Sequence, residues 1–252
     1  MWRALLRISA CVAVSLLIAS AQRVDEIITK NIEARGGLKK LQAVKTIRQT
    51  GTFTIGGFRA RFVQENKRPN RVREETTIQG MSEVTVYDGK AGWHVSPFSG
   101  RKDPELLSED DLKPIVEDAD IDGQLTDYRH KGYRAELIGH DSVEGTDCYK
   151  IKLTMKNGDI RYYYLDVDSF LELKIETQRI IRGAVEYRDT MYGDYEEVKG
   201  LYFPFAFESG EKGDPNRLTS TVDKVEINIP LGDDRFSIVA GKSNPKVSML
   251  AK

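Results

Sequence analysis

Three histidines, two cysteines and a run of aspartates are the residues of this 252-residue chain whose types could do chemistry. His94, His130 and His140 are scattered and share none of the short spacings that gather zinc ligands. Cys148 has no evident histidine and asparagine partners to make it a nucleophile, so a small buried packing residue is its expected role. Asp118-Ala119-Asp120-Ile121-Asp122-Gly123 imitates the opening of a calcium loop, with acids at alternate positions and glycine sixth. The twelfth position is Arg129, however, and a cation cannot replace the bidentate glutamate that completes such a loop. A solvated acidic turn is the plainer reading. Asp166 and Asp168 suit turn positions better than an acid and base pair. No G-x-S-x-G elbow or phosphate-cradling glycine loop is present. The expectation is therefore a protein that is not an enzyme, with no catalytic residues, no metal and no cofactor.

The elements that would position any site begin with an export signal. Arg3 and Arg7 give a positive start, Ile8 to Ile18 form an apolar run short for a bilayer span, and Ala19-Ser20-Ala21 offers a small-residue cleavage site. Cleavage before Gln22 makes residues 1–21 a signal peptide and takes Cys11 with it. An uncleaved anchor and a lipoprotein site at Cys11 are the alternatives. The first lacks a stop-transfer run, and the second leaves almost no apolar segment ahead of the cysteine. The remaining chain carries 36 Lys and Arg against 39 Asp and Glu, a net charge of −3. It lacks the basic field of a nucleic-acid or anionic-membrane binder. Residues 22–240 are expected to form one domain, with 241–252 as a tail.

Val24, Ile27, Ile28 and Ile32 recur at helical spacing, Gly36-Gly37 ends that helix, and Leu38 and Leu41 continue a short second turn. From Thr46 the period becomes two. Phe58, Ala60 and Phe62 alternate with arginines, Tyr149 to Met155 alternate with lysines and Thr154, and Leu171, Leu173 and Ile175 alternate with charged residues. Ser108 caps a helix with acids in its first turn, and Pro114 predicts a break into two short helices, the second around Gln124 to Tyr128. Pro204, inside Leu201 to Phe207, predicts an edge strand or a bulge. About ten strand templates with helices at the start and middle predict a mainly β fold with α: a strongly curved antiparallel sheet over short helices.

Lys67-Arg68-Pro69-Asn70, then Tyr87-Asp88-Gly89-Lys90, Trp93 and Pro97-Phe98, resembles the signature of LolA/LolB-type periplasmic lipoprotein carriers in order and separation. Val143-Glu144-Gly145, Tyr149-Lys150-Ile151, Tyr164-Leu165-Asp166, Asp194-Tyr195 and Gly200 to Pro204 resemble the wider LolA-like outer-membrane lipoprotein-sorting proteins. The resemblance implies an unclosed antiparallel β-barrel whose concave face holds acyl chains under a helical lid. It implies a periplasmic monomer that meets membrane-bound donor and acceptor proteins. Parity and size nominate Phe53, Phe62, Trp93, Ile151, Leu153, Leu173, Ile175, Phe203, Phe205 and Phe207 for the lipid-binding wall, although solid core is the plainer reading of any one of them. The resemblance gives Arg68 the role of holding the lid closed; an exposed arginine before a proline turn is the alternative. Carriage of lipoprotein or another lipid leads. A periplasmic module that binds a regulatory protein is second, and an enzyme on a recruited fold is third.

Overall fold

A computed structural model describes residues 23–99 and 103–237; the expected signal peptide at 1–21 and the tail at 241–252 lie outside the described residues. Among the described residues, thirteen strands form one antiparallel sheet. In chain order they are β1 Thr46–Ile55, β2 Phe58–Lys67, β3 Arg71–Ile78, β4 Met81–Tyr87, β5 Gly92–Val95, β6 Glu105–Leu106 and β7 Arg134–Val143. They continue as β8 Thr146–Thr154, β9 Ile160–Asp166, β10 Glu172–Ile181, β11 Ala184–Val198, β12 Leu201–Glu211 and β13 Leu218–Ile227. The sheet order is β6-β5-β4-β3-β2-β1-β13-β12-β11-β10-β9-β8-β7. β6 and β7 are its two edges, so the barrel is not closed. Among the described residues, no helix is long and apolar enough to cross a membrane.

Three helices lie on one face: α1 over 23–34, α2 Leu38–Ala43 and α3 Glu109–Asp118. Val24, Ile27 and Ile28 of α1 are sealed against Ile151, Leu153, Tyr163 and Leu165. Each such side chain contributes about 1.5–3 kcal/mol of burial. The turn after α1 needs glycine, because Gly36 has φ 113 and a Cβ there would run into the Gly200 carbonyl. Leu41 and Val44, at the end of α2, join Ile47, Leu201, Val222, Val225 and Ile227 in a central cluster.

α3 reveals the curvature. Its Asp118 carbonyl accepts from Asn66 Nδ2 of β2 at 2.6 Å, while the adjacent Glu117 carboxylate bonds Arg161 of β9 and Arg179 of β10. In a flat sheet β2 and β9 would stand roughly 29 Å apart, at about 4.8 Å per strand. Two neighbouring residues of a helix about 10–12 Å wide cannot reach both, so the sheet curls around α3 and the helical face is concave.

Three expectations are corrected. α3 is a single helix with Pro114 inside it, capped by Ser108, whose Oγ accepts from the Asp111 N–H. The proline removes one backbone donor, a loss that anchoring at both ends outweighs. The stretch 121–132 is a series of turns and contains no second helix. Leu201–Glu211 is an interior strand: its ladder to β13 runs only from Ala206 to Ser209, so Pro204 owes that neighbour no hydrogen bond. The strands number thirteen because β11, largely exposed and charged over its first half, shows little apolar alternation, and β6 is only two residues long.

Candidate functional site

Register sorts the ten nominated wall residues onto two faces. Phe62, Phe203, Phe205 and Phe207 all pack against the central cluster on the concave face, and all four keep part of their surface accessible. Gly51 lies opposite Phe62 and makes room for its ring, since a Cβ would stand 2.6 Å from it. Phe53 shares the face: it stands opposite Ser220, which in turn stands opposite Phe207. Tyr192 closes on Phe207 edge to face at 5.6 Å between ring centroids. Ile151 and Leu153 also face inward but are fully sealed beneath α1, with Ile175 at the margin of that cluster.

Trp93 and Leu173 lie on the outer face. Gly92 points toward Leu112 of α3, so Trp93 points the other way, opposite Val86, which is buried by Leu231 and Phe236. Leu173 is the extra residue of a bulge between Glu172 and Lys174, and packs with Cys148, Tyr164 and Met191 outside. Cys148 is buried there as a packing residue, and burial raises its thiol pKa.

Arg68 is half-buried at a three-way junction. Its Nε donates to the Val44 carbonyl at 2.5 Å and Nη2 to the Leu41 carbonyl at 3.0 Å, satisfying the open end of α2. Nη1 and Nη2 hold both carboxylate oxygens of Asp122 at 2.7 and 2.5 Å, in the paired geometry that only an arginine supplies. Asp122 belongs to the turn that follows α3, so one side chain ties β2, α2 and that turn together. Asp120 is held by Lys131 at 2.5 Å. The acidic run is thus largely neutralised by cations rather than solvated, and no group of metal-holding side chains occurs among the described residues.

The concavity also contains charge. Glu117 is buried with Arg161 and Arg179, and Arg179 lies 3.4 Å from Asp159. Both arginines converge on Oε2, leaving Oε1 without a hydrogen bond among the described residues. Crowding by the surrounding concave face pushes the Asp118 carboxyl up to about 6, although the residue as a whole stays exposed, and the same desolvation together with the Asp118 charge pushes the half-buried Glu74 up to about 8. Tyr192 is lifted well above the usual phenol range, by burial first. Sequence reasoning missed Glu117, Arg161, Arg179 and Glu74. Arg161 and Glu74 each occupy the inward parity of a recognisable strand, which is the signal that marks them.

No protein-family model and no curated protein matches the sequence. Solved structures do match the shape. A LolA superfamily protein from Nitrosomonas europaea superposes with a TM-score of 0.59 at 14% identity, covering 85% of this chain and 97% of that one. The chain has a LolA-like fold. A putative outer membrane lipoprotein-sorting protein domain from Vibrio parahaemolyticus gives 0.58 at 12% identity over 90% and 98%. A DUF1329 family protein from Desulfovibrio piger gives 0.59 at 13% over 85% and 97%. At these identities the LolA-like likeness is one of fold.

Two outcomes follow for stability. Glu117→Gln leaves two buried guanidiniums short of a counter-charge, and chemical denaturation is expected to show a loss of about 3–5 kcal/mol. Because Glu74 binds its proton more tightly folded than unfolded, its contribution is present at low pH and is lost as pH rises from the ordinary carboxylate range through about 8. Glu74→Gln is expected to flatten the decline in stability between pH 6 and 8; an unchanged slope would contradict the assignment.

Proposed function

We propose that this protein is an exported carrier that shields the acyl chains of a lipoprotein or another lipid against its concave face and delivers them between membranes. The observation that supports it most is the accessible group of Phe62, Phe203, Phe205 and Phe207 beside a sealed core on the same sheet. Apolar side chains free to pack as core become sealed, as Ile151 and Leu153 do; those left partly open offer a surface to an apolar guest. Each methylene taken from water contributes about 0.8 kcal/mol, so one chain binds well without catalysis. Phe53 extends this wall, and Ile175 borders it.

The cover is α3 with the turns that follow it. Arg68 is its latch: release of Asp122 parts the end of β2 from the turn that follows α3, while the bonds to Leu41 and Val44 keep the arginine in place. Periplasmic residence and membrane-bound donor and acceptor proteins complete the reading, and no chemistry is done on the cargo.

Native mass spectrometry with lipid extraction tests this on protein purified from its own exported compartment. Bound lipid is expected on the wild type. Phe205→Glu, which sets an unpaired charge in the wall, is expected to lower the loaded fraction about tenfold or more with the circular dichroism spectrum unchanged. A lipid-free wild type, or a variant loaded as fully as the wild type, would overturn the reading.

A further inference from the structure

A polar row crosses the concave face beside the phenylalanines. Successive register pairs place Gln49, Gln64, Glu74, Thr85 and His94 side by side across β1 to β5. All five are only partly buried. On one side of the row lie Asn66, Val72 and Tyr87, over which α3 packs; on the other lie Gly51, Phe62, Thr76 and Glu83. The concave surface therefore has an apolar half and a hydrogen-bonding half that meet at Phe62.

Glu74 is the anomaly within that row. The fully buried carboxylates have partners: Glu65 is held by Arg48 at 2.7 Å and Arg235 at 2.6 Å, Glu117 by its two arginines, and Asp159 by Asn157 at 2.9 Å; Asp118, whose carboxylate also lacks a hydrogen bond among the described residues, belongs to an exposed residue. Glu74 makes no hydrogen bond and no ion pair among the described residues, although burial is the main force on its carboxyl. The groups around it do not repair this. Asp118 on α3 adds negative charge, Glu83 is taken by Ser96 at 2.7 Å, His94 is engaged with Thr85 at 3.1 Å, and Arg73 projects to the other face and bonds Glu75. Arg161 and Arg179 are committed to Glu117.

We propose that this row is a head-group subsite for an amphiphile and that it takes a protonated amine, with Glu74 as the counter-ion. The assignment rests on the carrier reading, because it assumes that the acyl chain lies on the phenylalanines. An ammonium on Glu74 supplies the partner that the fold withholds, and hydrogen bonds with one ionised member are the strong ones in a poorly solvated place. Gln49, Gln64 and Thr85 then meet neighbouring hydroxyl or amide groups of the head. The proton on Glu74 has a defined fate. In the empty protein the carboxyl is mostly neutral at pH 7; pairing with an ammonium requires the carboxylate, so binding releases that proton to solvent.

Titration calorimetry with decylammonium, 1-decanol and decanoate at pH 7, each in two buffers of different ionisation enthalpy, tests this. Decylammonium is expected to bind about tenfold or more tighter than 1-decanol, with decanoate weakest, and to release about one proton. Glu74→Gln is expected to abolish both the preference for decylammonium over 1-decanol and the proton release. Phe205→Ala is expected to weaken decylammonium and 1-decanol equally. Equal binding of all three probes, or an amine preference that survives Glu74→Gln, overturns the head-group assignment and leaves the carrier reading intact. Failure of every decyl probe to bind the wild type overturns both.

Discussion

The fold depends on a short helix that must touch both halves of a wide sheet. Asp118 and Glu117 are neighbours in α3, yet they bond strands six places apart in the sheet order. That reach is possible only if the sheet curls, and curling gives the helical face its concavity. A buried ion pair is a poor device for stability alone, because desolvation of both partners offsets their attraction. Here its geometry has a separate consequence. It fixes where α3 lies, leaving the phenylalanines of β2 and β12 partly uncovered.

The interior that results is divided rather than uniformly oily. α1 seals its own portion of the sheet as ordinary core, α2 and β13 build the centre, and α3 spans a polar zone with the Glu117 network at one side and Glu74 at the other. Arg68 joins α2 and the turn after α3 to β2 through bonds of two kinds. Those to the end of α2 are local and structural, whereas the pair with Asp122 crosses to a separate turn. In the proposed carrier, parting at one set of bonds and holding at the other lets α3 and its turn open without unfolding the sheet.

Much of this was legible in the residue pattern, because antiparallel strands with one wet face declare their parity. Ile151 and Leu153 read as inward and are buried; Ser108 reads as a cap and is one. Parity failed where the backbone interrupts it. Leu173 changes face at a bulge whose presence depends on the pairing of β9 with β10, and Trp93 sits in a strand of four residues with no apolar alternation to orient it. Arg68 was marked by resemblance, but its partner Asp122 lies 54 positions away, and Glu117 finds Arg161 across 44. Such pairs are set by the curl of the sheet, which no local window contains. Glu74 breaks the apolar alternation of Val72–Ile78; it gains meaning only once its neighbours across four strands are known.

In the proposed carrier, a guest chain lies on the concave phenylalanines and nowhere on the outer face. Paramagnetic broadening by a spin-labelled stearate measures this directly, in NMR spectra with the phenylalanine rings and the indole of Trp93 assigned. Strong broadening is expected at Phe62, Phe203, Phe205 and Phe207, with Trp93 unaffected. Broadening centred on Trp93, or spread evenly over both faces, would contradict it.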